Sequence, residues 1–165
     1  MALKLLPLQS ERLLLLPVEQ EHAPGMYPVL QDASLYHYTG GQPPANLDAV
    51  STWFSSLESR RSADNKELWF TWILKTRAQA DCIGYVQATV RESATELAWL
   101  VGSDFQNLGY AREAVTCTAI WLKDNGVASL QAHIHPGHAA SQKIAASIGL
   151  LTTGTRIDGE DLWQS

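Results

Sequence analysis

The sequence predicts one domain of the α/β (α+β) class, with a mixed and mostly antiparallel central sheet flanked by helices. Its 165 residues are enough to bury a substantial core, and 45% of them are hydrophobic. Apolar residues alternate at the period of a strand in several short runs and recur at the period of a helix in longer ones. In chain order these runs give β-α-α-β-β-β-α-β-α-β-β over a single domain, residues 1–165.

The first half of the chain opens with a leucine-rich strand and continues through two helices into a hairpin. Pro17 ends the strand, and Pro24 and Pro28 predict that the first helix is irregular or in two parts. Asn46 is placed to cap the second helix. The predicted spans are a strand at 11–17, a helix at 19–31, a loop at 35–45, a helix at 46–57 and antiparallel strands at 68–74 and 82–90.

The second half contains a strand–helix–strand crossover, a last helix and a final hairpin. Apolar side chains along the crossover helix fall on one stripe, and Asn125-Gly126 supplies the left-handed residue that ends many helices. Asp158-Gly159 is a dipeptide typical of a hairpin turn. The predicted spans are a strand at 96–101, a helix after Gly109, a strand at 129–135, a helix at 139–148 and strands at 152–157 and 160–164.

The turn between the central strand and the crossover helix carries the pattern Q-x-x-G-x-A, from Gln106 to Ala111. A strand that passes through such a turn onto a helix N-terminus directs several backbone N–H groups at one point, and the helix dipole adds positive potential there. Gly109 has no Cβ, so a ligand can approach its backbone closely. The turn therefore predicts an anion site, with the pyrophosphate of a cofactor as the expected ligand.

The charge balance limits the classes of partner. Twelve Lys and Arg against 17 Asp and Glu give a net charge of −5, which disfavours a nucleic-acid or anionic-membrane binder and mildly favours a cationic amine substrate. The apolar start is short and interrupted by Pro7, so we expect neither a signal peptide nor a membrane span. Cys82 and Cys117 lack the neighbouring ligands of a metal or redox motif, and we expect reduced thiols in a cytoplasmic protein without a metal site.

Four local sequences resemble segments of the GNAT superfamily of acyl-CoA-dependent N-acetyltransferases, and in particular its branch of ribosomal-protein N-terminal acetyltransferases. They are Ser10 to Leu15 (T/S-E-R-L-x-L), Cys82 to Val86 (IG-x-V), Gln106 to Ala111 (Q/R-x-x-G-x-G/A), and His138 to Ser141 with Ile148 to Leu150 (N-x-x-S … L-G-F). One such pattern alone is weak, but four in the right order and structural context are specific and cover essentially the whole chain. The resemblance implies a GNAT-like fold and an acetyl-CoA-dependent acetyltransferase.

The resemblance also implies where acetyl-CoA binds. The co-substrate would lie where the central strand diverges from the strand at 129–135, with its pyrophosphate on the backbone of the turn. The main chain of the central strand would hold the pantetheine arm or the thioester carbonyl, and would stabilise the oxyanion that develops there. Arg112, in the first turn of the helix, would add a cation for the phosphates; the alternative is that it is a solvated surface arginine. The expected cofactor-binding residues are Leu100, Val101, Gln106, Asn107, Leu108, Gly109, Tyr110, Ala111, Arg112 and His138.

The sequence departs from the family pattern at residues that bear on catalysis. His138 stands where asparagine is usual, so one cofactor hydrogen bond is either remade by the imidazole or lost, and Leu108 stands where lysine or arginine is common. The position at which many members carry a tyrosine that protonates the leaving thiolate is Ala145. Ser141 is the nearest substitute, as in the N-terminal acetyltransferase branch. A local capping group is the alternative for Ser141.

The general base is not singled out by the sequence. Glu96 corresponds to a position at which some GNAT members place a catalytic glutamate, and partial burial would make its carboxylate a stronger base; a surface carboxylate at a strand end is the alternative. His133 and His135 share one face of the neighbouring strand and could act through water, or form only a polar strand edge. We expect the substrate pocket to contain Tyr36, His37, Tyr38 and His133.

Two functions of different classes remain open. The first is direct transfer of an acetyl group from acetyl-CoA to a primary amine, either a protein or peptide N-terminus or a small molecule. The second is a CoA-binding module with little catalysis, used in sensing or assembly, which the missing tyrosine and the altered asparagine would favour. A nucleotide-binding protein is not indicated, because the sequence has neither a lysine-containing phosphate loop nor G-x-G-x-x-G. A homodimer is compatible with the sequence, which does not determine the oligomeric state.

Overall fold

A computed structural model gives the protein's structure over residues 3–165, as one eight-stranded sheet with four α-helices. The strands are β1 (Leu8–Gln9), β2 (Leu13–Pro17), β3 (Leu68–Thr76), β4 (Cys82–Val90), β5 (Thr95–Val101), β6 (Leu130–Ile134), β7 (Leu151–Ile157) and β8 (Glu160–Gln164). The helices are α1 (Ala23–Leu30), α2 (Leu47–Leu57), α3 (Tyr110–Asp124) and α4 (Ala139–Ser147), with short 3-10 turns at Gln20–His22, Ala33–Tyr36 and Ser103–Phe105.

The strands lie in the order β1-β2-β3-β4-β5-β6-β8-β7. Each neighbouring pair is antiparallel except β5 and β6, which are parallel and are joined by α3 as a crossover. The predicted mixed, mostly antiparallel sheet is therefore confirmed, and so is the order of elements, with one addition. β1 is absent from the predicted order, because two residues after Pro7 are too few to show an alternating pattern.

Helices cover both faces of this sheet. α1 and α2 pack on one face in a cluster that contains Met26, Phe54 and Ile73, while α3 and α4 pack on the other around Trp72 and Leu122. Each of these side chains is fully buried, and burial of one such side chain contributes about 1.5–3 kcal/mol to folding. β3 supplies residues to both clusters, as its nearly continuous apolar run predicts.

The helix ends follow the local signals in the sequence. Asn46 caps α2, with its Oδ1 accepting the Ala49 N–H at 2.9 Å, and Gly126 has a φ of 90° just after α3. The helix expected at 19–31 is in two parts, a 3-10 turn followed by α1, with Pro24 in the first turn of α1 and Pro28 inside it. The boundaries that position the candidate site, at Gly109 and His138, are also as predicted.

Residues 3–165 were compared with the geometry of a membrane-spanning helix and of a metal site. No helix there is both long enough and apolar enough to cross a bilayer. In the same residues, no three His, Cys, Asp or Glu side chains converge as ligands of a metal ion. Cys82 and Cys117 are free and half-buried, and burial raises the pKa of both thiols, which makes them less reactive.

Candidate functional site

A cleft opens between β5 and β6 because these parallel strands pair only at their first residues. Thr95 pairs with Leu130 and Glu96 with Gln131, after which the strands diverge. The N-termini of α3 and α4 and the loop after α1 enclose a space of about 440 Å³. The lining residues are Ser34, Leu35, Tyr38, Thr39, Trp99, Leu100, Val101, Phe105, Gln106, Asn107, Gly109, Tyr110, Ala111, Arg112, His138, Ala140, Ser141, Lys143 and Ile144.

The charges of this lining are all of one sign. Arg112 lies in the first turn of α3 and Lys143 in α4, and none of the lining residues carries a carboxylate. The protein as a whole has a net charge of −5, so the cleft lining has the opposite sign to the chain as a whole. Such a cleft favours an anionic ligand.

The turn that precedes α3 presents unused backbone donors to the cleft. None of the N–H groups from Asn107 to Arg112 has a hydrogen-bond acceptor among residues 3–165, and the first N–H of this helix to find one is that of Glu113, which donates to the Gly109 carbonyl at 3.0 Å. Asn107 and Gly109 both have left-handed φ angles, of 61° and 84°. Unpaired donors at the positive end of a 15-residue helix form a binding site for a polyanion such as pyrophosphate.

Arg12 and Glu113 hold this turn in place across 101 residues of sequence. The Glu113 carboxylate accepts the Ser10 hydroxyl, the Arg12 N–H and the Arg12 Nε, each at 2.7 Å. The Arg12 guanidinium also donates to the Leu108 carbonyl at 2.9 Å and lies 4.3 Å from the centre of the Tyr110 ring. Ser10 and Arg12, just before β2, therefore have a structural role, which is to fix the anion-binding turn.

We expect Glu113→Gln to lower the free energy of unfolding by about 1.5 kcal/mol at neutral pH, because hydrogen bonds to a partly buried charged group are lost. Burial raises the pKa of Glu113, but the hydrogen bonds from Arg12 and Ser10 outweigh it and bring the pKa below the ordinary 4.5. The stabilisation is therefore complete above pH 4.5 and is lost as the pH falls through the lower folded-state pKa.

Urea unfolding at neutral pH and at a pH well below 4.5 measures the difference in the free energy of unfolding between the unmodified protein and Glu113→Gln. Glu92→Gln is the matched control, because Glu92 is exposed in the turn before β5. A Glu113→Gln protein as stable as the control at neutral pH would show that the Arg12 contacts do not fix the turn.

The main chain of β5 faces the cleft at Val101 and not at Leu100. The Thr95 N–H donates to the Ser129 carbonyl, on the β6 side of β5, at 3.0 Å. Backbone N–H and C=O groups alternate between the two sides of a strand, so those of Val101, six residues on, point to the β6 side as well. The Val101 carbonyl accepts Gln106 Nε2 at 2.9 Å, which leaves its N–H facing the cleft. The Leu100 carbonyl lies against β4, where a Cβ on Gly84 would come within 2.0 Å of it. The IG-x-V segment thus needs glycine because the β5 backbone passes over it.

The sequence matches the family model of the acetyltransferase (GNAT) domain over residues 12–151. The chain belongs to the GNAT acetyltransferase family. GNAT acetyltransferases use acetyl-CoA, and the anion-binding turn, the divergent strands and the Val101 backbone together have the donor set that such a co-substrate requires. No curated protein sequence matches this chain significantly.

Solved structures confirm the GNAT fold at low sequence identity. A GNAT acetyltransferase from Bacillus anthracis superposes with a TM-score of 0.77 at 17% identity, over 96% of each chain. The ribosomal-protein-S5-alanine acetyltransferase from Vibrio fischeri superposes with a TM-score of 0.78 at 18% identity, over 97% of this chain and 96% of that one. The microcin C7 self-immunity acetyltransferase MccE, in complex with acetyl-CoA and AMP, has a TM-score of 0.77 at 14% identity, over 94% of this chain and 93% of that one.

Most of the residues expected to bind the cofactor lie together in the GNAT cleft. Of the ten, Leu108 alone does not line it: its side chain is 53% exposed, and its carbonyl accepts Arg12. Ser141 lies at the same cleft and is buried. Its hydroxyl contacts His138 Nε2 at 3.4 Å, and the N-terminus of α4 has no side-chain cap. The alternative of a local capping role for Ser141 therefore has no support in the hydrogen bonding of α4.

Glu96 and His133 form a separate cluster on the sheet. The Glu96 carboxylate accepts a hydrogen bond from Arg91 Nη1 at 3.2 Å and makes another with His133 Nδ1 at 2.9 Å. Neither Glu96 nor His133 lines the cleft. Glu96 is four residues from Leu100, which is roughly 13 Å along an extended strand. Its proposed role as general base would therefore need a chain of water molecules to the thioester.

The aromatic loop after α1 is only partly in the expected place. Tyr38 lines the cleft, whereas Tyr36 donates its hydroxyl to the Leu30 carbonyl at 2.8 Å and His37 is exposed. Asp32 anchors the same loop to the end of β5 by accepting the Ser103 hydroxyl, and this bond lowers the Asp32 pKa. The loop is thereby held over the cleft.

Sequence reasoning missed several lining residues, among them Lys143, Trp99 and Phe105. Strand alternation carried signal for Trp99, since it lies two residues before Val101 on β5. Lys143 and Phe105 have no local signal, because their place in the cleft depends on how α4 and the 3-10 turn after β5 pack against α3. The role of Arg12 was equally hidden.

Proposed function

We propose that this chain is an acetyl-CoA-dependent N-acetyltransferase that transfers the acetyl group directly to a primary amine. The observation that carries the proposal is the row of unpaired N–H groups from Asn107 to Arg112, at the mouth of a cleft that contains Arg112 and Lys143 but no acidic lining residue. Membership of the GNAT family supports acetyl-CoA as the donor.

The residues of the cleft divide into two groups along its length. The turn and the two cations would hold the pyrophosphate and the neighbouring phosphate, as charge-assisted donors do. The Val101 N–H would bind the thioester carbonyl and stabilise the negative charge that develops on its oxygen. The acetyl group would then lie near Ser141 and Tyr38, where the loop after α1 meets the N-terminus of α4.

The acceptor we propose is a primary amine, either a protein or peptide N-terminus or a small molecule. Structural similarity to the Vibrio fischeri enzyme, which acetylates an alanine of a ribosomal protein by its name, supports the first class by association. The net charge of −5 gives a weak attraction for any cationic amine. The loop at 32–39 is the surface on which an acceptor would first make contact.

A binding and turnover measurement tests this proposal. We expect saturable binding of one acetyl-CoA per chain by calorimetry, and release of free thiol that depends on an added amine from a panel of peptides and small amines. Failure to bind acetyl-CoA would overturn the proposal. Tight binding without thiol release for any amine would instead favour a CoA-binding module with little catalysis.

A further inference from the structure

Three aromatic rings meet where the loop after α1 touches the turn between β6 and α4. The Tyr38 ring stacks on the His138 ring with centroids 4.6 Å apart and an angle of 14° between planes. His135 lies 5.2 Å from Tyr38 on another side. Gly137 permits this approach, because a Cβ there would lie 3.2 Å from the Tyr38 ring. The stack holds the His138 imidazole in one orientation at the wall of the acetyl-CoA cleft.

The imidazole so held is directed at the buried hydroxyl of Ser141. The distance from His138 Nε2 to Ser141 Oγ is 3.4 Å, and this is the only hydrogen bond of that hydroxyl among residues 3–165. An asparagine, which the family pattern has at this position, offers an amide that does not titrate. A histidine offers a group that can bind and release a proton near neutral pH.

We infer that His138 is a catalytic residue of the proposed acetyl transfer, and that it carries a proton from the attacking amine to the leaving sulfur through the Ser141 hydroxyl. This inference rests on the proposed function. It gives the site a base and a source of the final proton within one pair of side chains, and it does not require Glu96, which lies outside the cleft.

Burial and one neighbouring histidine favour the neutral form of the His138 imidazole before the reaction. Tyr38 faces it from the loop after α1, His135 from the end of β6, and Arg112 from α3 and Lys143 from α4 line the same cleft, in which no lining residue carries a carboxylate. Burial, together with the neighbouring His135, brings the pKa of His138 below its ordinary 6.5. A neutral imidazole can accept a proton from the amine, as a general base must.

The proton balance of the step closes without another reactant. The neutral amine attacks the thioester carbonyl, so that a C–N bond forms and the nitrogen becomes positively charged. The nitrogen then gives one proton to His138 Nε2. The C–S bond breaks, the sulfur takes a proton from Ser141 Oγ, and Oγ regains one from Nε2. The products are the acetylated amine and the CoA thiol, and both side chains return to their starting states.

The replacement His138→Asn tests this inference, and it restores the residue usual in the family pattern, so the fold and the acetyl-CoA affinity should be kept. The first readout needs no amine: ultraviolet absorbance of the thiolate follows ionisation of CoA bound to the protein. In the inferred relay, ionisation of the thiol passes its proton through Ser141 Oγ to His138 Nε2, and the imidazolium so formed stabilises the thiolate as an ion pair. We expect the bound thiol to ionise at lower pH in the unmodified protein than in His138→Asn.

The second readout is the pH dependence of kcat with an amine that the protein acetylates. We expect His138→Asn to lower kcat by about 100-fold, the usual contribution of a general base, and to remove the loss of activity that accompanies protonation of His138 below pH 6.5. His22→Asn is the matched control, because it makes the same replacement at a histidine that does not line the cleft and whose Nδ1 accepts the Glu19 N–H at 3.0 Å. It should change neither readout.

The outcomes separate this inference from the proposed function. If the unmodified protein does not bind CoA, the proposed function fails, and this inference fails with it. If it binds CoA and the thiol ionises at the same pH in His138→Asn, the inference is overturned while acetyl-CoA binding stands. Equal kcat and an unchanged pH profile in the two proteins would overturn it in the same way.

Discussion

Gly109→Val is expected to leave the protein folded and to weaken acetyl-CoA binding by about 100-fold or more. Gly109 has a φ of 84°, where a β-branched residue is strained, so the turn must rearrange to relieve the strain. Rearrangement redirects the N–H groups from Asn107 to Arg112 that face the cleft. Loss of two charge-assisted hydrogen bonds, at about 1.5 kcal/mol each, corresponds to roughly 100-fold in the dissociation constant. Isothermal titration calorimetry measures the dissociation constant of acetyl-CoA for the two proteins.

Gly126→Val is the matched control for this experiment. Gly126 has a φ of 90° at the other end of the same helix, where an added Cβ would meet open space, whereas one at Gly109 would lie 3.3 Å from the end of the Arg12 side chain. Both substitutions therefore impose a similar backbone strain on α3, of about 1–2 kcal/mol. Only the turn at Gly109 faces the cleft. The two proteins should lose similar stability, and only Gly109→Val should lose affinity for acetyl-CoA.

A folded Gly109→Val protein with unchanged affinity for acetyl-CoA would exclude this turn as the pyrophosphate site. Equal loss of affinity in Gly126→Val would point to a general loosening of α3 as the cause. The contrast between the two glycines thus separates a local effect on the backbone donors from an effect on the helix.

The elements of this fold could be predicted because burial leaves a periodic pattern in a continuous stretch of sequence. β4 has the predicted bounds, and α3 begins directly after Gly109 and ends before Gly126, as the turn and cap residues indicate. A hydrogen bond between a side chain and a backbone group a few residues away can be predicted in the same way, as the Asn46 cap of α2 shows. For such features the sequence alone contains the necessary information.

The contacts that shape the site could not be predicted, because they join residues far apart in the chain. Glu113 meets Arg12 across 101 residues and Glu96 meets His133 across 37, and nothing near either pair in the sequence indicates the partner. The family pattern contains Arg12 without giving its role. The structure supplies that role, which is to brace the turn at Leu108.

The stacking of Tyr38 on His138 belongs to the same class of hidden contacts. Each residue could be assigned separately, Tyr38 to a substrate pocket and His138 to the cofactor site. Their contact depends on Gly137, and on the bond between Asp32 and Ser103 that holds the loop over the cleft. The effect of having histidine at position 138 in place of the usual asparagine can therefore be interpreted only when the position of the loop is known.

Ser141→Ala is expected to reduce kcat by about 100- to 1000-fold while acetyl-CoA affinity changes by no more than about threefold, a free-energy difference of roughly 0.7 kcal/mol. The Ser141 hydroxyl is the proposed donor to the leaving thiolate, and proton transfer of this kind contributes two to four powers of ten to a rate. The residue that donates in many family members is replaced here by Ala145, which is fully buried and has no proton to give. Steady-state kinetics with calorimetry gives both quantities.

Ser147→Ala is the control, because it makes the same chemical change in the same helix. Ser147 is exposed and does not line the cleft, and its hydroxyl donates to the Ile144 carbonyl of its own helix at 2.6 Å. Neither kcat nor affinity should change in that protein. A large loss of kcat in both variants would show that α4 as a whole, and not the Ser141 hydroxyl, determines the rate.

The balance between kcat and affinity distinguishes the two roles open to Ser141. A hydroxyl that only binds the co-substrate acts equally in the ground state and the transition state, so its removal would raise the dissociation constant and leave kcat unchanged. A hydroxyl that protonates the thiolate acts only as the C–S bond breaks, so its removal lowers kcat. Stability is a third criterion. The Ser141 hydroxyl makes no hydrogen bond to a backbone group of α4, and alanine has a higher helix propensity than serine. Ser141→Ala should therefore unfold at the same urea concentration as the unmodified protein or at a higher one.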